Sequence, residues 1–268
     1  MKIIKPEVKE IFQKEGKEGI YKAIEVAGRN CYKSEDKICE GSAEKLINTF
    51  LSRKHYSPLE FGTVYMKFKR YDIIEKEALE FYLTNPYTKV LYDIFYAYVT
   101  TNYRVIIENH KEEDIERYLC KDYRDIEKCE KRYFFKITTD RAILAEFTRH
   151  RVFSFCVESQ RYCNYSKDKF NNEITFIEPC WFYNNENSID FEIWRMACEE
   201  SEKNYFTLLK NQKPEQARSV LNNSVKTEIC MCGFESDWQR FLSLRTSEAA
   251  HPQARELAEK IKIIINRE

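Results

Sequence analysis

Apolar residues recur every three or four positions in several stretches of the chain, and this spacing predicts amphipathic helices. In residues 42–54, Leu46, Ile47, Phe50 and Leu51 form one apolar stripe. The predicted helices cover residues 18–28, 42–54, 72–83, 140–148 and 189–210. Three further helices are predicted towards the end of the chain. The first begins at Pro214 and carries Arg218, the second carries Trp238 and Arg245, and the last begins at Pro252.

Side chains that cap helices are predicted at three of these starts. Ser42 and Thr139 each precede an apolar-periodic stretch, and Ser236 with Gln239 has the spacing of a capping box. Residues 110–131 are rich in charge and are predicted to be helical, with solvent on most sides.

Other stretches alternate between apolar and polar residues, or are continuously apolar and aromatic, and these predict strands. The predicted strands cover residues 61–69, 95–107, 132–138, 173–178 and 224–232. Helices and strands are mixed without a regular strand–helix–strand rhythm, so the pattern favours the α+β class, with a mixed or antiparallel sheet and packed helices.

Glycine-rich nucleotide cradles are missing from the sequence. No GxGxxG follows a strand and no GxxxxGK[ST] loop occurs, so neither a Rossmann unit nor a P-loop is expected. Glycine and proline number only six each, and no low-complexity linker or internal repeat interrupts the chain. We therefore expect one domain over residues 1–268.

Composition narrows the classes of function. The 44 basic and 44 acidic side chains cancel, which argues against a module that binds nucleic acid through a broad basic surface. No apolar run is long enough to span a bilayer, and the start MKIIKPEVKEIF lacks the apolar core of a signal peptide, so a cytoplasmic protein without membrane contact is expected. The ten cysteines include no CxxC pair, and we expect no metal site.

One segment concentrates the candidate chemistry. The stretch TRHRVFSFCVESQRYCNYSK, residues 148–167, carries several arginines beside carboxylate, hydroxyl and phenol groups. Arginine is the natural partner of a phosphate, because its planar guanidinium makes paired, charge-assisted hydrogen bonds. A ring base stacked near Tyr162, with its phosphate held by arginines, would explain this composition.

A structural interpretation of the same residues stays open. The arginines could form a network with Glu146 and Glu158 that holds a loop down. Taken alone, Ser159 is typical of a turn, and His150 is typical of a hydrogen-bonded structural histidine. Cys156 and Cys163, which also lie in this segment, are typical of buried thiols.

The order of residues in this segment resembles one enzyme family. Arg149-His150-Arg151, seven residues and Ser159 form the RHR-x7-S signature of flavin-dependent thymidylate synthases, and the match continues through Arg161 and Tyr162. HYSPLEF at 55–61, PEQAR at 214–218 and DWQRFLSLR at 237–245 resemble three further family segments. The resemblance covers roughly residues 20–69 and 132–265, and residues 70–131 form an insertion to which it assigns no role.

The resemblance implies an α+β subunit of a homotetramer whose active sites combine several chains. It implies reductive methylation of dUMP to dTMP, with methylenetetrahydrofolate as carbon donor and NADPH-reduced FAD as hydride source. An arginine is expected to stabilise the uracil ring as N3 gives up its proton. The residues implied for dUMP are Glu146, Arg149, Glu158, Ser159, Gln160, Arg161, Arg218 and the catalytic Arg245. Those implied for FAD are His55, Ser57, Arg149, His150, Arg151, Val157 and Arg240.

Four positions depart from the family pattern. Val157 stands where many members have Glu or Gln, so a contact there would use the backbone, and Arg240 stands where Asn or His is common. Phe234 and Ser236 replace an Asn and an Arg of some members. These departures on the flavin side keep a second hypothesis in view, a non-catalytic protein that binds a nucleotide and a flavin but does not turn over.

Overall fold

The computed structural model describes residues 1–161, 163–166 and 171–267. The strands are β1 Lys2–Ile4, β2 Glu7–Glu10, β3 Thr63–Lys69, β4 Lys89–Tyr92, β5 Tyr96–Asn102, β6 Arg132–Asp140, β7 Ser154–Val157, β8 Thr175–Ile177 and β9 Lys226–Phe234. The helices are α1 Gly16–Tyr32, α2 Ser42–Ser52, α3 Ile73–Thr84, α4 Tyr103–Glu108, α5 Glu112–Tyr118, α6 Tyr123–Ile126, α7 Arg141–Phe147, α8 Ile189–Leu208, α9 Pro214–Ala217, α10 Glu235–Arg245 and α11 Pro252–Ile265.

An antiparallel sheet in the order β2-β6-β9-β7 carries the segments of interest. Strand residues alternate between its two faces. On one face Phe135, Ile137, Ile229 and Met231 pack against the apolar sides of α7, α10 and α11. The sheet therefore fixes the helix ends that precede His150 and that carry Arg245.

The opposite face of this sheet is covered by α1. Phe134, Cys230 and Cys232 are buried there against Ala23 and Ala27. Farther along the same face the strand residues become charged, and the C-terminal end of α1 lies over them.

A second antiparallel sheet, in the order β3-β5-β4, is built from the first half of the chain. Val64, Met66 and Phe68 of β3 are fully buried, as their alternation predicts. They join a core with Ile20 and Ile24 of α1, so α1 packs on both sheets.

The α+β class is confirmed. The described residues contain one parallel pair, β1 with β8, in which Lys2 lies opposite Thr175. The other sheets are antiparallel, and no doubly wound parallel sheet is present in the part of the chain that the structure describes.

The three caps predicted at helix starts are wrong. Helix α2 starts after Gly41, and the Ser42 hydroxyl instead bonds the backbone of Cys39. Thr139 belongs to β6, and Asp140 caps α7 by accepting from the backbone N–H of Ile143 at 2.8 Å. Asp140 is also the last residue of the strand, so the cap sits one position later than predicted.

The capping box predicted at Ser236 and Gln239 is also absent. Helix α10 follows directly on β9 with Phe234 at its N-cap position and no side-chain cap. The Ser236 hydroxyl bonds the carboxylate of Glu130. A contact distant in sequence thus takes the side chain that the local pattern assigned to the helix start.

Two further segments differ from the prediction. The strand expected over 95–107 ends at Asn102, whose side chain caps α4. Residues 110–131 form the short helices α5 and α6 in place of one continuous helix. The sequence also gave no signal for β7, Ser154–Val157, which pairs with β9.

The other periodic segments fold as expected. Cys198 and Tyr205 of α8 are buried on one side of the helix, and Pro214 is the first residue of α9, which ends before Arg218. None of the helices in the described residues is both long and apolar enough to cross a membrane.

Candidate active site

Arg245, expected to be the catalytic residue, lies at the last turn of α10 and is held by two partners. Its Nη1 donates to Oε2 of Glu146 at 2.6 Å, and its Nη2 donates to the backbone oxygen of Glu146 at 3.0 Å. Its Nε donates to Nε2 of His150 at 2.9 Å. These contacts join the end of α10 to the end of α7, since Glu146 is in the last turn of that helix.

The histidine of this group is kept neutral. Burial lowers the pKa of His150, and the charge of Arg245 lowers it further. A neutral ring can accept the Arg245 hydrogen bond at Nε2. The His150 ring also makes an edge contact with Phe241, with the ring centroids 4.9 Å apart. The group therefore fixes the plane of the guanidinium.

Glu158 and Ser159 follow β7, and backbone hydrogen bonds hold them in place. The N–H of Glu158 donates to the backbone oxygen of Glu228 at 2.8 Å, and that of Ser159 donates to the oxygen of Cys31 at 3.0 Å. The loop is thus attached to β9 on one side and to the end of α1 on the other.

The Glu158 carboxylate is almost fully buried and is bound at one oxygen. Glu158 is 2% exposed. Its Oε2 accepts from the ammonium group of Lys226 at 2.9 Å, while Oε1 is buried and has no hydrogen-bond partner among the described residues. A buried carboxylate oxygen without a donor is unfavourable, so this atom is suited to accept a hydrogen bond from a ligand.

Arg141 lies close to Glu158, and Arg218 lies close to Arg141. Burial lowers the pKa of Arg141, the charge of Glu158 opposes that shift, and the charge of Arg218 adds to it. Arg141 also donates to the Thr227 hydroxyl at 3.2 Å. Arg218 was expected here from its segment, whereas Arg141 was not.

A small cavity adjoins this group. It measures about 170 Å³, and Lys2, Glu158, Tyr165 and Lys226 are among the residues that line it. Gln160 is buried and lies near Tyr165.

A larger cavity of about 660 Å³ lies on another side of the protein. Arg151 and Arg240, both expected near the flavin, line it. The cavity has five basic and three acidic residues on its wall, which makes a net charge of +2. These residues are Lys89, Arg104, Arg132, Arg151, Arg240, Glu60, Glu108 and Asp237.

One arginine of this cavity has an unsatisfied donor. Nη1 of Arg132 donates to the backbone oxygen of Glu60 at 3.1 Å and to the Thr63 hydroxyl at 3.2 Å, while its buried Nε has no partner among the described residues. Arg104 donates to the Glu60 carboxylate at 2.8 Å. The HYSPLEF segment therefore reaches the cavity through Glu60.

The two residues of that segment expected beside the flavin are not part of the cavity wall. His55 is exposed, and its ring lies edge-on against Phe50, with centroids 5.6 Å apart. Ser57 opens a 3-10 turn that continues to Phe61. Neither His55 nor Ser57 lines either of the two cavities.

The remaining candidates are divided between surface and sheet. Arg149 is exposed, and no ion pair is found for it among the described residues. Arg161 is exposed, with its Nε 4.0 Å from the carboxylate of Glu215. Val157 pairs with Ile229 in the sheet and packs on the core beneath it. Tyr162, proposed as a stacking ring, lies outside the described residues.

The structure therefore separates the candidates into three groups within one chain. Arg245 groups with Glu146 and His150, Glu158 groups with the residues around the small cavity, and Arg151 groups with Arg240 at the large cavity. No group of three or more His, Cys, Asp or Glu side chains able to hold a metal ion is found in the part of the chain that the structure describes.

Several residues of these groups had escaped sequence reasoning. Lys226 and Glu228 lie on the same face of β9 as the apolar Cys230 and Cys232. Charged side chains on a face that is otherwise apolar are unusual, because burying a charge is costly. Arg141 stands in the first turn of a helix, where a basic residue is disfavoured by the helix dipole. Both patterns were available signals.

Comparisons with known proteins agree with this arrangement of motifs. The model of the thymidylate synthase complementing protein family matches residues 96–268. That range contains the RHR segment, the PEQAR segment and Arg245, and it begins after His55.

Three curated proteins match part of the chain at 31% identity. One is a probable flavin-dependent thymidylate synthase of Paramecium bursaria Chlorella virus 1, and the match covers 50% of this chain and 65% of that protein. The flavin-dependent thymidylate synthase of Synechocystis sp. matches 46% of this chain over 60% of its own length. That of Pyrococcus abyssi matches 43% of this chain over 46% of its own length. The matches thus span less than two thirds of these relatives. A solved UMP/dUMP methylase of Streptomyces cacaoi, bound with 5-Br dUMP, aligns over 100% of this chain and 93% of its own, with a TM-score of 0.47 and 17% identity.

Proposed function

This chain belongs to the thymidylate synthase complementing protein family, and we propose that it converts dUMP to dTMP by reductive methylation. Methylenetetrahydrofolate would supply the carbon, and FAD reduced by NADPH would supply the hydride. Three relatives bear the name of flavin-dependent thymidylate synthase, which supports the flavin.

The observation that carries the proposal is the fixed guanidinium of Arg245. Glu146 and His150 occupy three of its N–H groups, and each terminal nitrogen keeps one further N–H for a ligand. An arginine held in this way cannot act as a base, but it can stabilise the negative charge that develops on a uracil ring as N3 loses its proton. A preformed orientation lowers the cost of reorganisation in that step.

The surroundings of Glu158 support dUMP as the substrate. The unsatisfied Oε1 of Glu158 can accept from an N–H or O–H group of the nucleotide. Arg218 and the neighbouring Arg141 supply positive charge for its phosphate. Ser159, Gln160 and Arg161 follow in the same loop.

The large cavity fits the phosphates of FAD. A diphosphate diester carries two negative charges, which complement the net charge of +2 on the cavity wall. The buried Nε of Arg132, which lacks a partner, is an N–H donor suited to a phosphate oxygen. Arg151 and Arg240 would hold the same group from the rim.

A homotetramer would bring the three groups together. Within one chain Arg245, Glu158 and Arg151 belong to separate groups, and sites built from several chains would reunite them. Sedimentation of the flavin-loaded protein tests this, because a monomer that keeps stoichiometric flavin would contradict the proposal.

The function is tested by an absorption spectrum of the purified protein followed by an assay of dTMP formation. We expect a flavin spectrum, and NADPH oxidation that depends on dUMP and methylenetetrahydrofolate. Flavin and dUMP binding without dTMP formation would favour a non-catalytic nucleotide-binding and flavin-binding protein. A colourless protein that does not bind dUMP would reject both.

A further inference from the structure

A cluster of lysines and glutamates lies under the loop that carries Glu158, where the C-terminal end of α1 covers the sheet. This lysine–glutamate cluster consists of Lys33, Lys136, Lys226, Glu35, Glu158 and Glu228. Its three ammonium and three carboxylate groups balance, and neither the family resemblance nor the proposed mechanism uses it as a whole.

Glu228 is the centre of the cluster. Its Oε2 lies 2.7 Å from the ammonium of Lys33 and 2.6 Å from that of Lys136, and its Oε1 lies 2.5 Å from that of Lys226. The Glu228 side chain is only 12% exposed, so these contacts are little screened by solvent. Glu35 bridges Lys33 and Lys136 on the far side.

Ion pairing favours the charged forms of Glu228 and Lys33. Burial raises the pKa of Glu228, but the ammonium groups of Lys226 and Lys33 outweigh burial and hold that pKa well below its usual range. Burial lowers the pKa of Lys33, and Glu228 and Glu35 outweigh it in turn. The ion pair of Glu228 with Lys33 therefore holds two charged groups in a fixed geometry.

Lys226 connects this centre to the candidate dUMP site. Its ammonium group binds Glu228 and also Oε2 of Glu158, so it is shared between the two carboxylates. This contact fixes one oxygen of Glu158 and leaves Oε1 without a donor.

The backbone repeats the same connection. The main-chain oxygen of Glu228 accepts from the N–H of Glu158 at 2.8 Å and from Nδ2 of Asn30 at 3.1 Å. Glu228 thus sets the place of Glu158 through its main chain and the orientation of the Glu158 carboxylate through Lys226.

We propose that Glu228 is a positioning residue for dUMP, which acts through Lys226 to hold Glu158 with Oε1 directed to accept a hydrogen bond from the nucleotide. The inference rests on the proposed function. Glu228 itself does not touch the nucleotide, so its removal changes binding only while Glu158 can respond.

The test compares Glu228→Gln in two backgrounds of the flavin-loaded protein. In the natural background, Glu228→Gln raises the dissociation constant and the KM of dUMP roughly tenfold, with kcat changed much less. In a Glu158→Gln background, adding Glu228→Gln is expected to leave the dissociation constant of dUMP equal to that of the Glu158→Gln single variant. The reason is that Glu228 affects dUMP binding only through Glu158. An undiminished effect in that background overturns the proposal.

Glu35→Gln is the matched control, because Glu35 belongs to the cluster but does not contact Lys226. We expect its dUMP affinity to stay within about twofold of the unmodified protein. If Glu35→Gln and Glu228→Gln weaken dUMP binding equally, the cluster is only structural and the proposal fails.

A second variant covers the case in which Glu228→Gln does not fold. Lys226→Met removes the ion pair with Glu158 and leaves Glu228 with two lysines. It is expected to weaken dUMP binding in the natural background and to have no further effect in the Glu158→Gln background. An unmodified protein that does not bind dUMP overturns the proposed function. An unmodified protein that binds dUMP while Glu228→Gln and Lys226→Met bind equally well overturns only the positioning role.

Discussion

Among single residues, the arginines differ in what already holds them. Three hydrogen bonds fix Arg245 between Glu146 and His150. Arg149 and Arg151 are exposed, and no ion pair is found for them in the described part of the chain. A fixed guanidinium suits stabilisation of a transition state, whereas an exposed one suits capture of a ligand phosphate.

Arg245→Lys is expected to lose at least about tenfold in turnover while FAD stays bound. A lysine offers a point charge and cannot bridge Glu146 and His150 with the geometry of the guanidinium. The measurement is dTMP formation together with the flavin content of the purified variant. Arg195→Lys is the matched control, because Arg195 lies on the outer side of α8 and pairs only with its neighbours Glu192 and Glu199, and this variant should behave as the unmodified protein. Near-normal turnover of Arg245→Lys would remove this residue from the mechanism.

Arg151→Ala and Arg161→Ala are expected to affect different ligands. Arg151 lines the large cavity, and Arg161 lies in the loop after Glu158. A charge-assisted hydrogen bond to phosphate is worth about 1.5–3 kcal/mol, so each change should weaken its own ligand roughly ten- to hundredfold. Titration of both variants with FAD and with dUMP checks this. Equal weakening of one ligand by both changes would mean that the segment serves a single site.

At the scale of elements, residues 70–131, which the resemblance predicts to be an insertion, contribute to the large cavity. Strand β4 brings Lys89 to its wall, and α4 brings Arg104. The Lys89 ammonium lies 5.8 Å from the ring centroid of Phe234, one of the positions that depart from the family pattern. This segment thus adds positive charge beside Phe234, at a position where some family members have Asn.

Lys89→Ala is expected to weaken FAD retention roughly three- to tenfold, because Lys89 is exposed and its charge is partly screened. Flavin fluorescence during titration of the flavin-free protein measures the change. Lys76→Ala, on α3 and away from the cavity, is the control. The same affinity in both variants would leave this segment without a part in flavin binding.

At the scale of the whole molecule, the lysine–glutamate cluster joins parts of the chain that are far apart in sequence. It connects α1 and the turn after it with β6, β9 and the loop after β7. Because the same contacts hold the fold and, in our proposal, orient Glu158 for the substrate, we expect stability and substrate binding to be coupled there.

The free energy of unfolding is expected to decrease as the pH is lowered, because Glu228 becomes protonated. The folded pKa of Glu228 lies below its unfolded value of about 4.3, so its contribution is complete above that pH and is lost as the pH falls towards the folded pKa. For Lys33 the folded pKa is raised, so its contribution is lost only in strongly alkaline solution. We expect the free energy of unfolding to drop between about pH 5 and pH 3, by on the order of 2 kcal/mol from this carboxylate.

Urea unfolding at fixed protein concentration measures that drop, with Glu228→Gln as the comparison. The variant should be less stable at pH 7 and should show a shallower fall towards pH 3, because its amide does not titrate. Parallel curves for the two proteins would contradict the assignment of the acid transition to Glu228.

The elements with periodic burial, and the segments that carry the candidate chemistry, could be predicted from the amino-acid sequence. Helix α8 and strands β3, β6 and β9 follow from spacing alone, since the period of apolar residues is a local property. The RHR segment and Arg245 were identified in another way, by their resemblance to segments of a known family.

Which side chains contact each other became visible only in the folded protein. Glu158 and Lys226 are 68 residues apart, and Arg245 and Glu146 are 99 residues apart. The same holds for the edge strand β7, whose four residues are too few for a periodic pattern, and for Ser236, whose hydroxyl binds Glu130 and not its own helix. Periodicity reports whether a residue is buried, but a hydrogen bond or ion pair depends on distances that exist only once separate elements have packed together.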